Sequence, residues 1–377
     1  MSHSNTRRGC ALASALAVSA LSVAACAPAL AQNAAPAPAP ASSAATPVVW
    51  GSAVLRQPAA WYATPEARRL ADNVILYQSP NGSWPKNTDM SAPPTGPIDQ
   101  HLADTIDNQA TTLEMGFLAR VIEAGGAPAR SDYVAAFDRG YDWLLAAQYP
   151  SGGWPQFFPL RGGYYDHITF NDDAMVRVLT LLRDVADGKA PYGFVDAARK
   201  AKAADAVARG VDIILKTQIR QDGKLTVWCA QHDEVTLAPA WARKFEPPSL
   251  SGYESVGITR FLMGIPNPSP EVIAAIEGSV AWFKANAIPD IAVERFTDAG
   301  GKPDRRVIPA PGARLWARFY ELDTNRPIFI DRTSVLQPSL ADIEQERRAG
   351  SNYYDGAAAA LIDKDYPAWR ARVGLTR

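Results

Sequence analysis

The chain has 377 residues, 47% hydrophobic and 20% charged, with a formal net charge of −1. That balance supplies a sizeable core and excludes the strong basic bias of a nucleic-acid-binding protein. Its three cysteines and four histidines show no zinc-protease or serine-hydrolase pattern.

Residues 1–31 read as a secretion signal. Arg7-Arg8 gives the charged start, Cys10 to Ala25 a small-residue apolar run, and Ala29-Leu30-Ala31 a cleavage site before Gln32. Val23-Ala24-Ala25-Cys26 competes as a lipoprotein box that would leave a lipid anchor on Cys26. No run reaches the ~20 apolar residues of a membrane-spanning helix. Residues 32–49 are an Ala/Pro-rich tether. Processing at Gln32 would leave Cys229 as the sole cysteine, so no intrachain disulfide is expected.

Residues 50–377 read as one catalytic domain, dominated by a repeat. Gln78, Gln148 and Gln218 stand at intervals of 70 residues, each closing an apolar helical run. A glycine turn follows each: Asn81-Gly82-Ser83-Trp84-Pro85, Ser151-Gly152-Gly153-Trp154-Pro155 and Asp222-Gly223-Lys224-Leu225. A fourth copy, Ser279 to Lys284, keeps the helix but not the Gln or Gly. Helical patterning runs over 111–123, 133–148, 172–187, 195–218, 257–263 and 270–287, with strand-like pieces at 224–230, 291–294 and 328–330. Paired helices with long rim loops predict a mainly α fold, an α/α toroid (incomplete or closed barrel of helical hairpins) with a minor β element.

Asp107-Asn108 and Asn171-Asp172-Asp173 each put carboxylates at a helix start. Capping explains one acid at each place; the surplus suits an oxygen-ligand cation site. Arg243, Arg314, Arg318, Arg326 and Arg332, with Tyr253, accumulate late in the chain. Arginine amid aromatics is either ion-paired structurally or grips a carboxylate. Acids for a cation and arginines for carboxylates together describe a polyanionic substrate. Trp84, Trp154 and Trp228 fit either sugar stacking at the rim or the core. His101, His167 and His232 read as structural.

These residues resemble the pectate lyases of polysaccharide lyase family 10 over most of residues 50–370. The resemblance is carried by Ser79 to Lys86, Thr105 to Thr112, Gly153 to Pro159, His167 to Met175, Trp228 to Asp233, Tyr253 to Ser255, Trp316 to Tyr320 and Pro327 to Arg332. It implies calcium-assisted anti-β-elimination of polygalacturonate (pectate). By position, Asp107 and Asp172, with Asn108 and Asp173 beside them, look like the metal site and Arg332 like the arginine that abstracts the C5 proton. Arg318 and Arg243 look like holders of substrate carboxylates, with Tyr253 and Trp154 also against substrate. Relatives often read Arg-Asp-Gly where this chain has Arg332-Thr333-Ser334. A monomer is expected, secreted or periplasmic. The rival readings are a glycoside hydrolase using Asp107 and Asp172 as its carboxyl pair, or a non-catalytic polyuronate-binding protein.

Overall fold

The structure is a computed structural model and describes residues 48–125 and 131–375. The signal, Cys26, Gln32 and the tether as far as Pro47 lie outside the described residues. The unit from Pro47 to Arg377 is considered by itself.

Seven main helices run α1 Pro65–Leu76, α2 Thr112–Gly125, α3 Ser131–Ala146, α4 Ala174–Ala186, α5 Ala197–Thr217, α6 Glu254–Met263 and α7 Pro270–Ala285. Local sequence fixes their starts. Thr64, Asp196 and Ser269 cap α1, α5 and α7 through side-chain oxygens, and Pro65 and Pro270 occupy the first helical position. Helix α2 packs on α4 and α4 on α6, while α1 touches α3 and α5 touches α7. The helices thus form two rows around an apolar core that includes Trp84, Trp154, Trp228 and Trp316.

The glutamine repeat is the joint between neighbouring helices. The Gln78 amide donates to the carbonyl of Gly82 at 2.6 Å and to that of Ala136 in α3 at 2.7 Å. Gln148 does the same with Gly152 at 3.0 Å and Ala206 in α5 at 2.9 Å. Gln218 joins Thr226 at 2.8 Å to Ala275 in α7 at 2.9 Å. The tryptophan that follows each turn donates its indole N–H back to the helix it leaves. Trp84 reaches Val74 O at 2.8 Å, Trp154 reaches Leu144 O at 2.8 Å and Trp228 reaches Ile214 O at 2.7 Å. The turn glycines are needed twice over, since Gly82 and Gly152 have φ of 108° and 103°. A Cβ there would lie 2.6 and 2.2 Å from the carbonyl oxygens of Arg139 and Arg209.

Strands are short and antiparallel: β1 Ile168–Thr169, β2 Arg220–Gln221, β3 Lys224–Leu225, β4 Gln231–His232 and β5 Leu250–Ser251 precede the long pair β6 Ile288–Thr297 and β7 Pro303–Ala317. Then come β8 Phe319–Tyr320, β9 Phe329–Ile330, β10 Leu336–Gln337 and β11 Tyr354–Asp355. The pairings are β1–β4, β2–β3, β5–β8, β9–β10 and the three-stranded β11–β7–β6.

This corrects the expected α/α toroid with a minor β element. Helix amounts to 46% and strand to 15%, in several small antiparallel sheets. The fourth copy shows where the periodic pattern misled. Trp316 donates its indole N–H to Phe283 O of α7 at 2.8 Å, as the other tryptophans do. Here, though, the β6–β7 ribbon follows the helix, and the tryptophan stands near the end of β7. A helix-based count could not see that ribbon, because within it only 291–294 reads as strand-like.

Replacing Gln148 by Ala would strand the Gly152 carbonyl and remove the tie to Ala206 of α5 in a largely buried joint. An unsatisfied buried polar group costs about 1–3 kcal/mol, so Gln148→Ala is expected to lower stability by roughly 2–4 kcal/mol in urea unfolding. A loss below about 0.5 kcal/mol would remove the clamp from the account of the fold.

Candidate active site

Three helices of one row begin at an acid. Asp107 sits in the turn Asp107–Gln109 before α2, Asp172 in the turn Asn171–Asp173 before α4, and Glu254 opens α6. The first two turns touch, and the Asp172 N–H approaches Glu254 Oε1 at 3.4 Å. The backbone here is strained. Asn108, Gln109, Thr111, Asp172 and Asp173 all have φ between 49° and 74°, at a cost of order 1–3 kcal/mol each. Thr111 is β-branched and therefore the most unusual of them. Its hydroxyl donates to Thr105 O at 2.9 Å and accepts from the Trp84 N–H at 3.2 Å, which holds the bend in place.

The two turns border a polar cleft of about 210 Å³. Lys86, Asn87, Asp107 and Asn108 form one side, Asn171, Asp172 and Gln231 another, and Gln156, Tyr164, Arg243 and Glu246 complete it. Each charge in it already has a partner. Lys86 donates to Asp107 Oδ2 at 2.6 Å. Arg243 forms a two-pronged pair with Glu246, at 2.8 and 2.5 Å. The largest influence on Glu246 is burial, which pushes its carboxyl up. The Arg243 hydrogen bond and the charges of Arg243, Arg318 and Arg347 outweigh it, leaving Glu246 below the usual range. The hydrogen bond to Glu246 raises Arg243 above its ordinary value.

Arg318 lies just beyond β7 and ties the floor together. It donates to Asn171 Oδ1 at 3.0 Å, Asp172 Oδ1 at 3.2 Å and Glu254 Oε1 at 2.5 Å. Burial alone would lower its pKa, but Glu254, Asp172 and Glu246 raise it overall. Its backbone is fixed on both sides, the N–H by Tyr353 O at 2.8 Å and the carbonyl by the Gly252 N–H at 3.0 Å. A Cβ on Gly252 would come within 2.1 Å of Ala317 O, so only glycine permits this approach. The Tyr253 ring lies 5.2 Å from the Arg318 guanidinium and does not line the cleft.

Other expected site residues lie elsewhere. Trp154 is fully buried in the core, as are Trp84 and Trp228, which corrects the expectation that Trp154 stacks on substrate: no face is open to a sugar. Asp173 turns to the far side of α4, where a Cβ on Gly257 would meet its Oδ1 at 2.1 Å. Arg332 is half exposed, paired with Glu346 at 2.7 and 2.8 Å, and does not border the cleft. It belongs to a neighbouring group, because Arg347, Arg243 and Arg332 surround Phe245 at 4.1, 4.9 and 5.4 Å from its ring centroid.

Asn87, Glu246 and Arg347 escaped the sequence reading, and Lys86 and Glu254 fell inside quoted motifs without being given a site role. Lys86 follows the first Trp-Pro turn and Glu246 stands three residues after Arg243, so both had a positional signal. His232 is buried, with Nε2 accepting from the Cys229 N–H at 3.2 Å and Nδ1 facing Leu237 O at 2.9 Å. Nδ1 therefore carries the proton, and burial holds the ring neutral with a pKa near 4. His167, Asp233 and Glu234 offer ligand atoms within 4.8 Å of one another but none of them borders the cleft. Among the described residues no helix is long and apolar enough to cross a membrane.

Comparison with known proteins identifies the class as a polysaccharide lyase. The pectic acid lyase family matches residues 78–362, and the chain belongs to that family. No match to a curated protein was found. Similar solved structures include the following two. An aspartate-to-alanine mutant of the family 10 polysaccharide lyase from Cellvibrio cellulosa, in complex with trigalacturonic acid, is 35% identical with a TM-score of 0.72, covering 87% of this chain and 100% of that one. The family 10 polysaccharide lyase from Cellvibrio cellulosa is 36% identical with a TM-score of 0.72, covering 82% and 93%. The glycoside hydrolase and binding-protein readings fall with this finding.

Beside the cleft, Glu114 of α2 is 2% exposed and its Oε2 has no hydrogen-bond partner among the described residues. Burial pushes its carboxyl up to about 8. The native state therefore binds this proton more tightly than the unfolded chain, so its contribution to stability declines as pH rises toward 8. Glu114→Gln should flatten that decline, gaining on the order of 4 kcal/mol relative to wild type between about pH 5 and pH 9 in urea titrations. Parallel pH profiles for the two proteins would contradict it.

Proposed function

We propose that this enzyme cleaves polygalacturonate by calcium-assisted anti-β-elimination, giving unsaturated oligogalacturonates. The observation that carries this reading is the convergence of Asp107 and Asp172 with Arg243 on one polar cleft. The donor set fits calcium: Asp107, Asp172, Asn108 and Asn171 supply only carboxylate and amide oxygens, the ligands this ion prefers. These four residues would hold it, with Asp173 facing away. Bound calcium would withdraw electron density from a uronate carboxylate and so acidify the adjacent C5–H.

The remaining chemistry falls to the arginines. A base takes the C5 proton, the electron pair forms the C4–C5 double bond, and the C4–O bond breaks, with the departing oxygen protonated from solvent. The sequence pointed to Arg332 for the base, but Arg243 borders the cleft with the two aspartates and is the better placed of the pair. Arg318, buried against Asp172 and Glu254 and not itself bordering the cleft, positions Asp172 rather than gripping a substrate carboxylate as the resemblance implied. An arginine base must lose its proton first, and Glu246 opposes this by favouring the charged form. The rate should therefore climb into the alkaline range. Export through the signal at residues 1–31 suits a polymer too large to enter a cell.

Incubation with polygalacturonate should release a product absorbing in the ultraviolet, and a calcium chelator should abolish it. Asp107→Ala and Asp172→Ala should lose most activity and recover part of it in excess calcium; wild-type rates for both at micromolar calcium would sink the cation assignment. For the base, Arg243→Lys should fold and bind oligogalacturonate yet lose about 10²–10⁴-fold in turnover. Arg332→Lys should lose far less. The reverse order would return the role to Arg332.

A further inference from the structure

A second, larger depression lies behind the cleft and has no part in the chemistry above. It occupies about 520 Å³ between α2, α4 and α6. Four guanidiniums border it: Arg120 from α2, Arg177 and Arg183 from α4, and Arg260 from α6. Arg260 is neutralised by Asp365 at 2.7 Å. The others are not matched so closely. Arg120 donates to the backbone carbonyl of Gly116 at 2.7 Å, and Arg183 to that of Phe261 at 3.3 Å. Arg177 comes no nearer to Asp173 than 3.8 Å, and its Nε is buried without a partner among the described residues. The other acid bordering the depression, Asp184, is taken by Lys189 at 3.1 Å. The hollow therefore holds a surplus of positive charge, with Leu113, Val176 and Phe261 as apolar surface.

The basic hollow also adjoins the cleft by a series of shared walls. A middle depression of about 290 Å³ shares Lys86, Asn87 and Asn108 with the cleft, and Gln109 and Leu113 with the basic hollow. The left-handed turn at Asn108 and Gln109 is the ridge between them. We propose that the basic hollow binds a carboxylate-bearing sugar farther along the same polyuronate chain whose scissile bond lies in the cleft. Guanidinium forks match carboxylates two bonds at a time, and the apolar surface suits the C–H face of a pyranose ring. The inference rests on the polyuronate reading and assigns this hollow a role in recognising chain length.

The experiment compares a galacturonate trimer with long polygalacturonate on the full chain. The double variant Arg120→Gln with Arg183→Gln removes two charges outside the catalytic cleft. Thr180→Glu, on the same wall of α4, sets an opposing charge one turn from Arg183 while keeping both arginines, and guards against loss of fold, checked by thermal unfolding. Both variants should raise KM for the polymer about tenfold, equivalent to one lost charge-assisted contact. KM for the trimer and kcat for both substrates should stay as in wild type. An unchanged polymer KM, or equal rises for trimer and polymer, would overturn the inference and leave the lyase reading standing. A wild-type protein that neither binds nor cleaves either substrate would overturn the polyuronate reading and the inference with it.

Discussion

A side-chain amide that reaches two backbone carbonyls at once governs this architecture. Helix ends leave carbonyls without intrahelical partners, and a buried end must find donors elsewhere. Gln78, Gln148 and Gln218 stand at such ends; each amide closes the following turn at Gly82, Gly152 or Thr226 and adds a bond to a carbonyl inside the next helix of the row, at Ala136, Ala206 or Ala275. Closing the turn and spacing the helices are thus one interaction. Glycine allows the turn to press on the neighbouring helix, and the tryptophan after it seals the core by bonding back to the helix it left. The strained turns at Asp107 and Asp172 hang from this frame, since Thr111 is held through the backbone of Trp84.

Arg318 plays the corresponding part for the charged groups. It arrives from the end of β7, the ribbon inserted in the fourth copy, and meets acids from the starts of α4 and α6. Losing one member of a buried ion pair leaves the other uncompensated, typically at 3–5 kcal/mol. The β-ribbon is therefore more than an appendage of a helical repeat. It delivers the cation that lets two carboxylates stand together, Asp172 at the cleft and Glu254 in the interior.

Much of this was legible in the sequence, and the failures have physical causes. The 70-residue spacing of the glutamines located the helix joints because an amide that bridges two carbonyls demands one residue type at one place. Asp107, Asn108 and Asp172 stood out because a cap needs one acid and here there was more. Trp154 misled because Trp-Pro after a glycine turn reads equally as rim or core; the deciding fact is the indole bond to Leu144, made at a distance the sequence does not encode. The resemblance made Arg332 the base and Arg243 a holder of a substrate carboxylate, an order that sequence position alone cannot check. Phe245 gathers both, yet only Arg243 reaches the cleft. Glu254 was hidden because a first-turn glutamate usually serves the helix dipole, and its partner Arg318 lies 64 residues away.

The pairing of charges in the cleft has a consequence for how a cation and a polyanion would enter it. Lys86 neutralises Asp107 and Glu246 neutralises Arg243, so neither an acid nor an arginine waits bare. A metal ion arriving alone must displace the Lys86 ammonium from Asp107. A polyuronate arriving alone must compete with Glu246 for Arg243. Arriving together they offset each other's cost, because the cation on Asp107 releases Lys86 toward a uronate carboxylate while that carboxylate completes the shell of the cation. On the proposed reading each ligand raises the affinity for the other by the same factor, and the source of that coupling is the ammonium–carboxylate contact between Lys86 and Asp107.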